Sequence, residues 1–303
     1  LGTQAGDSFT GTDANGNALF GYQAGTALTS GDYNVAVGRH ALKATTTSSQ
    51  NVALGVAALS TNVTGGLNVA VGSNALRDNL ASNNTAVGNS ALLANTTGIM
   101  NNAVGAYALD SNTTGALNTA VGVYALQSNT TASNNTAVGH QSLNTNTTGA
   151  NNVSVGYNSL LSNTTASNNV AVGYNSLTAN TTGSSNVSIG PSSMAANTTG
   201  FYNTAVGQGA LYANTTAAYN TAVGYYALLA NTTGDRNTAI GYESLKTNTV
   251  GDRNVAVGYG SLQALNPGSN ADTMNVGVGY AALQYTTTGA NNTAVGGYAM
   301  QAN

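Results

Sequence analysis

A metal site or a proton-transfer site would have to begin at His40 and His140, the only two histidines in this chain. Each closely follows the Gly of a recurring Asn-x-x-x-Gly motif, but in copies six apart. At ~4.8 Å per stacked copy that is roughly 29 Å, too far to share an ion. No Ser-His-Asp constellation assembles around either ring. The carboxylates Asp235, Glu243 and Asp252 lie in two successive copies, and Arg236 and Arg253 each follow an Asp 17 residues apart. Stacked Asp-Arg pairs that neutralise each other are expected there, rather than a catalytic carboxylate pair. The glycines lack the following Lys-Ser and helix of a phosphate loop. With no cysteine there is neither a disulfide nor a thiolate zinc site. The expectation is a chain with no enzymatic activity and no cofactor.

Two further sets could do binding chemistry. Tyr follows the motif Gly in seven copies, and Tyr225, Tyr242, Tyr259 and Tyr280 do so in consecutive ones. A row of aromatic rings can present faces to sugars, with hydroxyls at the rim, so these four are candidate glycan contacts. The alternative is a structural Tyr stack at a corner or subunit seam. Asn-Thr-Thr begins at Asn95, Asn112, Asn129, Asn146, Asn163, Asn180, Asn197, Asn214 and Asn231, matching the N-glycan acceptor pattern nine times in succession. The favoured reading is that these residues simply make a turn; glycosylation is the alternative. Rows of Thr could also order water on an ice-binding face, but only if they lay flat and outward.

What positions all of these residues is a period. Seventeen motif glycines run from Gly21 to Gly296 at a spacing of 17, broken by one 16 (Gly72 to Gly88) and one 21 (Gly258 to Gly279). A fixed short period means one small unit stacked many times along an axis. Numbering the unit from its Asn, position 1 is always Asn, position 3 is small, position 4 is apolar and position 5 is Gly. Position 9 is Leu or Met in every copy but the first, which has Gly25. Positions 2 to 4 suit a strand. Positions 8 to 10 are expected to form a second strand, and Asn-Thr-Thr-Gly the turn. Each unit is then one coil of an all-β parallel β-solenoid (β-roll) of about seventeen 17-residue coils.

Inside that coil Asn34, Asn118, Asn135, Asn169 and Asn220 are expected to belong to a continuous amide ladder. Val37, Val121, Val138, Val172 and Val223, with Leu126, Leu160, Leu177 and Leu228, are expected to form the structural core. A strand presents alternate side chains to two faces, and here both faces are uncharged. One face should therefore close the coil and the other meet partner chains. Sequence alone leaves open which does which. A neutral outer surface is the alternative.

Asn-Thr-Ala-Val-Gly-x-x-Ala-Leu and Asn-Val-Ser-Val-Gly-Tyr-Asn-Ser-Leu resemble the head repeats of trimeric autotransporter adhesins. They are closer still to the Asn-Thr-Ala-Val-Gly-Tyr-x-Ala-Leu repeats of phage tail fibres and related bacterial surface fibres. The resemblance spans residues 17–303. It implies a left-handed parallel β-roll with three chains side by side, on an extracellular, cell or virion surface. The longer 17-residue unit with its Asn-Thr-Thr turn departs from the adhesin pattern.

Composition agrees with a neutral fibre. Only 5% of residues are charged, none lies between Asp110 and Asp235, and the net charge is -3. Nucleic-acid binding needs clustered Lys and Arg, and none is present. No apolar run nears the ~20 residues of a membrane span. The organisation expected is an irregular Gly-rich lead-in at residues 1–16 and one repeat domain at 17–303, with a protruding loop at 263–274 around Pro267. The pattern reaches both ends, so the chain is expected to be a segment of something longer or to stack end to end. The function expected is a stiff structural fibre, a homotrimer presenting surfaces for host or cell attachment. The alternatives are a passive, glycosylated filament and an ice- or glycan-binding solenoid.

Overall fold

The computed structural model describes residues 4–6, 14–269 and 271–302. Residues 1–3 and 7–13 of the expected lead-in therefore lie outside the described residues. No helix occurs among the described residues, and every regular element is a strand. The chain divides into two compact units, Leu1–Asn151 and Asn152–Asn303.

The first unit is a parallel β-solenoid carrying eight three-residue strands, from Ala18–Phe20 to Thr136–Val138. Like pairs with like from coil to coil: Val35 lies opposite Val52, Ala36 opposite Ala53 and Val37 opposite Leu54. The 16-residue coil drops one residue from its turn without disturbing this register, since Val69 pairs with Thr85 and Ala70 with Ala86. Asn79 absorbs the deletion by donating its Nδ2 to the carbonyl two residues on, at Ala81, 2.6 Å away. Full-length coils bond three residues on.

The second unit is built the same way, with nine such strands from Val153–Val155 to Thr293–Val295. Thr221 pairs with Thr238, Ala222 with Ala239 and Val223 with Ile240. The 21-residue coil also keeps register, with Val255 opposite Val276. Part of the 263–274 insertion is itself ordered against its neighbour: Ala271–Asp272 pairs in parallel with Gly251–Asp252.

The second strand expected at positions 8 to 10 does not form. Those residues lie in turns, and the position-9 leucines have a left-handed backbone, as at Leu126 (φ 52°) and Leu228 (φ 54°). The reason is what the coil must bury. Ala125 and Leu126, successive residues, are both 0% exposed, and strand alternation cannot put neighbours on one face. A left-handed residue turns the chain between them so that both point inward. The coil-to-coil bonds survive the change, as in Leu126 N–H to the Ser142 carbonyl at 3.0 Å.

The interior is narrow. After the first coil, position 3 supplies Ala or Ser (Gly277 in one copy), position 8 Ala or Ser, and position 9 one long side chain per coil. Leu126, Leu160, Leu177 and Leu228 are all fully buried. The first coil exchanges the sizes: Leu19 stands at position 3 and Gly25 at position 9, where an added Cβ would lie 2.8 Å from Leu19 Cδ1. One large residue per coil fills the space, from either wall, as volume-conserving packing requires.

The valines are the second correction. With position 3 inward, alternation turns position 4 outward. Val37 (41%) and Val121 (38%) are exposed, and Val138, Val172 and Val223 are half-buried. The core of the single chain is alanine and leucine, and the valines clothe its outside.

Candidate functional site

Two asparagine columns run inside each unit. At position 1 the side-chain oxygen accepts the next coil's backbone N–H: Asn34 N–H donates to Asn17 Oδ1 (2.8 Å) and Asn118 N–H to Asn101 Oδ1 (3.0 Å). Asn135 continues the first unit's column at 3.0 Å, and Asn169 and Asn220 make the same bond in the second unit at 3.0 Å. At position 12 the Asn of Asn-Thr-Thr forms the second column. Asn112 Nδ2 donates to Asn95 Oδ1 (2.8 Å) and to the Gly115 carbonyl (2.9 Å). That same carbonyl accepts from Asn101 Nδ2 at 2.8 Å, so one position-15 carbonyl ties both columns across the coil. The second unit repeats the brace at Gly183, which accepts from Asn169 and Asn180, both at 2.9 Å.

This geometry overturns the glycan-acceptor alternative. Asn95, Asn112, Asn129, Asn146, Asn163, Asn180, Asn197, Asn214 and Asn231 are all 0% exposed. The nitrogen that a glycan would join is inside the coil and hydrogen-bonded there. The turn motif is polar because the interior needs amides at this point, not because the turn faces water. In each Thr pair the first hydroxyl is used between coils, as in Thr113 Oγ1 to the Thr130 carbonyl (3.0 Å). Only the second Thr, such as Thr97, Thr114 and Thr131, is exposed. One exposed Thr per Asn-Thr-Thr turn makes a single file at that turn, not a flat two-row array.

The charged residues also fall differently from expectation. Asp235 Oδ1 accepts the Ala218 N–H and Asp252 Oδ1 accepts the Asp235 N–H, each at 2.7 Å. Their arginines go elsewhere. Arg236 lies over the Tyr219 ring, 5.5 Å from its centroid, and Arg253 pairs with Asp272 from the insertion. Where position 16 is Asp or Ser, its side-chain oxygen accepts a backbone N–H of the preceding coil; Ser133 Oγ does so for Ala116 at 3.0 Å. Partial burial, and then the neighbouring Asp235 and Asp272 carboxylates, raise the Asp252 pKa above the usual carboxylate value.

His40 and His140 each join an aromatic neighbour in the first unit. His40 tilts against Tyr22 at 5.7 Å, and His140 meets Tyr124 edge-on at 6.1 Å. Partial burial, then Arg39 and Lys43, lower the His40 pKa. No group of three metal-ligating side chains occurs among the described residues.

Tyr225, Tyr242, Tyr259 and Tyr280 do come together. Their centroids are 5.2, 5.0 and 5.0 Å apart, with interplanar angles of 13°, 3° and 8°. Parallel stacking has a chemical consequence for the glycan expectation. Within the row each ring lies against its neighbour's face. The row is a stack, not a run of open platforms. Tyr225 hydrogen-bonds Tyr226, which with partial desolvation and the nearby Tyr242 and Glu243 pushes its pKa up to about 12.

The outward strand face repeats coil after coil in each unit. It consists of positions 2 and 4, almost all Val, Thr, Ile or Leu, with no charged residue at either position in any copy. Antiparallel sheets that face water on one side alternate apolar with polar residues. These parallel strands carry a polar residue on the outward face only at position 2, as Thr or, in one copy, Asn102. The chain matches no protein-family model, and no curated protein matches it.

Proposed function

We propose that this chain is a structural fibre segment, without catalytic activity, whose coils associate side by side with two further copies. It would stand on a cell or virion surface, as do the adhesin and tail-fibre repeats that its sequence resembles, and present surfaces for attachment. The observation that carries this reading is the outward strand face. Contiguous exposed apolar surface marks an association site, and here it recurs at every coil without one charge.

The reading also explains why an uncharged face persists while the chain does admit charge at positions 6, 7, 10, 11, 16 and 17, as Arg39, Glu243, Lys246, Asp78, Asp235 and Arg236. Closed cyclic association would cover the face on every copy at once. The test is the mass of the native assembly before and after denaturation. Three times the 30.0 kDa chain is expected. A native mass of one chain would overturn the reading and leave the valine face open to water.

A further inference from the structure

One place in the second unit breaks the uniformity of the coil surface. A groove of about 390 Å³ is lined by Tyr212, Ala213, Tyr226, Leu229, Ala230 and Lys246. Its origin is legible residue by residue. Position 7 of the coil that begins at Asn203 is Gly209, and a Cβ there would lie 2.5 Å from Tyr226 Cδ1. The missing side chain is what lets the Tyr226 ring lie where it does. Tyr226 is followed at position 7 by Glu243, so it takes no part in the parallel row; its aromatic partner is the tilted ring of Tyr225, at 3.9 Å and 35°. Ala213 and Ala230, successive position-11 residues, keep the floor low. Tyr212, 46% exposed, stands at one side.

The far rim is polar and organised. Lys246 Nζ donates to Glu243 Oε1 (2.8 Å) and lies 6.0 Å from the Tyr226 centroid. Gln263 Nε2 donates to Glu243 Oε2 (2.6 Å), Gln284 Nε2 to Gln263 Oε1 (2.9 Å) and Gln301 Nε2 to Gln284 Oε1 (2.9 Å). The groove therefore opens onto a file of amides one coil apart. Lysine and glutamate neutralise each other, so the rim offers directed donors and acceptors without net charge.

We infer that this groove binds one ring of a neutral saccharide, with the following rings of the chain running along Gln263 and Gln284. The inference rests on the surface-presenting part of the reading above. The volume falls within the range of small-ligand sites, roughly 300–1,000 Å³. A pyranose has an apolar C–H face and a polar equatorial rim. The two tyrosines and the alanine floor suit the first. The ammonium, which has three donors and spends one on Glu243, and the glutamine amides suit the second. An anionic ligand would meet Glu243, and a purely apolar one would leave the amide file unused.

The test is saturation-transfer NMR of the native assembly with cellotetraose, maltotetraose and chitotetraose. Saturable transfer to ring C–H protons from at least one of them is expected. Tyr226→Ala should weaken it tenfold or more, and Ala213→Phe, which fills the groove, should abolish it. Native mass is measured on each variant and is expected to equal the parent's, which separates this proposal from the association reading. No saturable transfer from any of the three sugars would overturn it, as would transfer unchanged in both variants. A drop in native mass on filling the groove would also overturn it, because the occupant would then be another copy of the chain.

Discussion

A side-chain carbon at a corner glycine would have to share space with the carbonyl of the next coil. At Gly88 φ is 140°, and an added Cβ would lie 2.5 Å from the Gly105 oxygen. Backbone strain of this kind costs about 1–3 kcal/mol, before the clash is counted. Gly88→Ala should therefore lower stability by about 3 kcal/mol or more in urea unfolding; a change under half of that would show that the coils can part. The buried amides give a matched pair of tests. Asn129 donates to Asn112 Oδ1 (2.7 Å) and the Ala132 carbonyl (3.0 Å), and accepts from Asn146 (3.1 Å). Asn129→Ala leaves Asn112 Oδ1 and one Asn146 N–H unmet and should cost about 2–6 kcal/mol, at 1–3 for each orphaned group. The opposite case is Thr286, whose buried hydroxyl has no hydrogen-bond partner among the described residues. Thr286→Val should be neutral or stabilising by up to about 1 kcal/mol, and a clear loss in thermal unfolding would mean the hydroxyl is used.

Elements in this protein are single strands and corners, and their legibility differed for a physical reason. The strand at positions 2 to 4 could be read because β-branched residues cluster there. Its direction could not, because Ala and Val are both apolar and the alternation rule fixes only that they oppose each other. Size decided it: Leu126 and its equivalents fill the interior, leaving room for a methyl at position 3. Positions 8 to 10 were misread because leucine is a poor advertisement for a left-handed backbone, and no local signal distinguishes Leu126 at φ 52° from a strand leucine. Asn-Thr-Thr was legible as a turn, yet nothing in the triplet says that its Asn points inward. The saccharide groove had one signal, Gly209 at a position where Tyr226 and Glu243 follow, which becomes meaningful only once those side chains have places.

At the same scale the Gly251–Asp252 pairing with Ala271–Asp272 gathers acidic groups, and Asp252 has a raised pKa there from partial burial and its carboxylate neighbours. An acid whose folded pKa exceeds its unfolded one binds protons more readily when folded, so its contribution to stability falls as pH rises through that interval. Asp252→Asn keeps an oxygen for the Asp235 N–H. The variant should melt above the parent at pH 7, with the gain vanishing near pH 3. A gain independent of pH would assign the effect to something other than the charge.

Across the whole molecule, charge is scarce, six basic and nine acidic residues among 303, and none of it falls on the outward strand face. If that face meets partner copies, Val121→Glu should reduce the native mass to that of one chain while leaving the far-ultraviolet spectrum of the coil unchanged. Thr131→Glu, on an exposed turn, should alter neither. A Val121→Glu protein that keeps the parent's native mass would place the contact elsewhere. The register carries a separate consequence. Within each unit the strand pairs and the side-chain columns set equivalent residues against each other from coil to coil: Ala36 on Ala53, Asn118 on Asn101, Gly88 on Gly105, Tyr242 on Tyr259. Within these columns no coil carries a key that only one successor fits. An unequal exchange between two copies within the gene would thus yield a chain one coil longer or shorter with all four columns intact, so length is a trait that selection can adjust by counting, without redesigning a single residue.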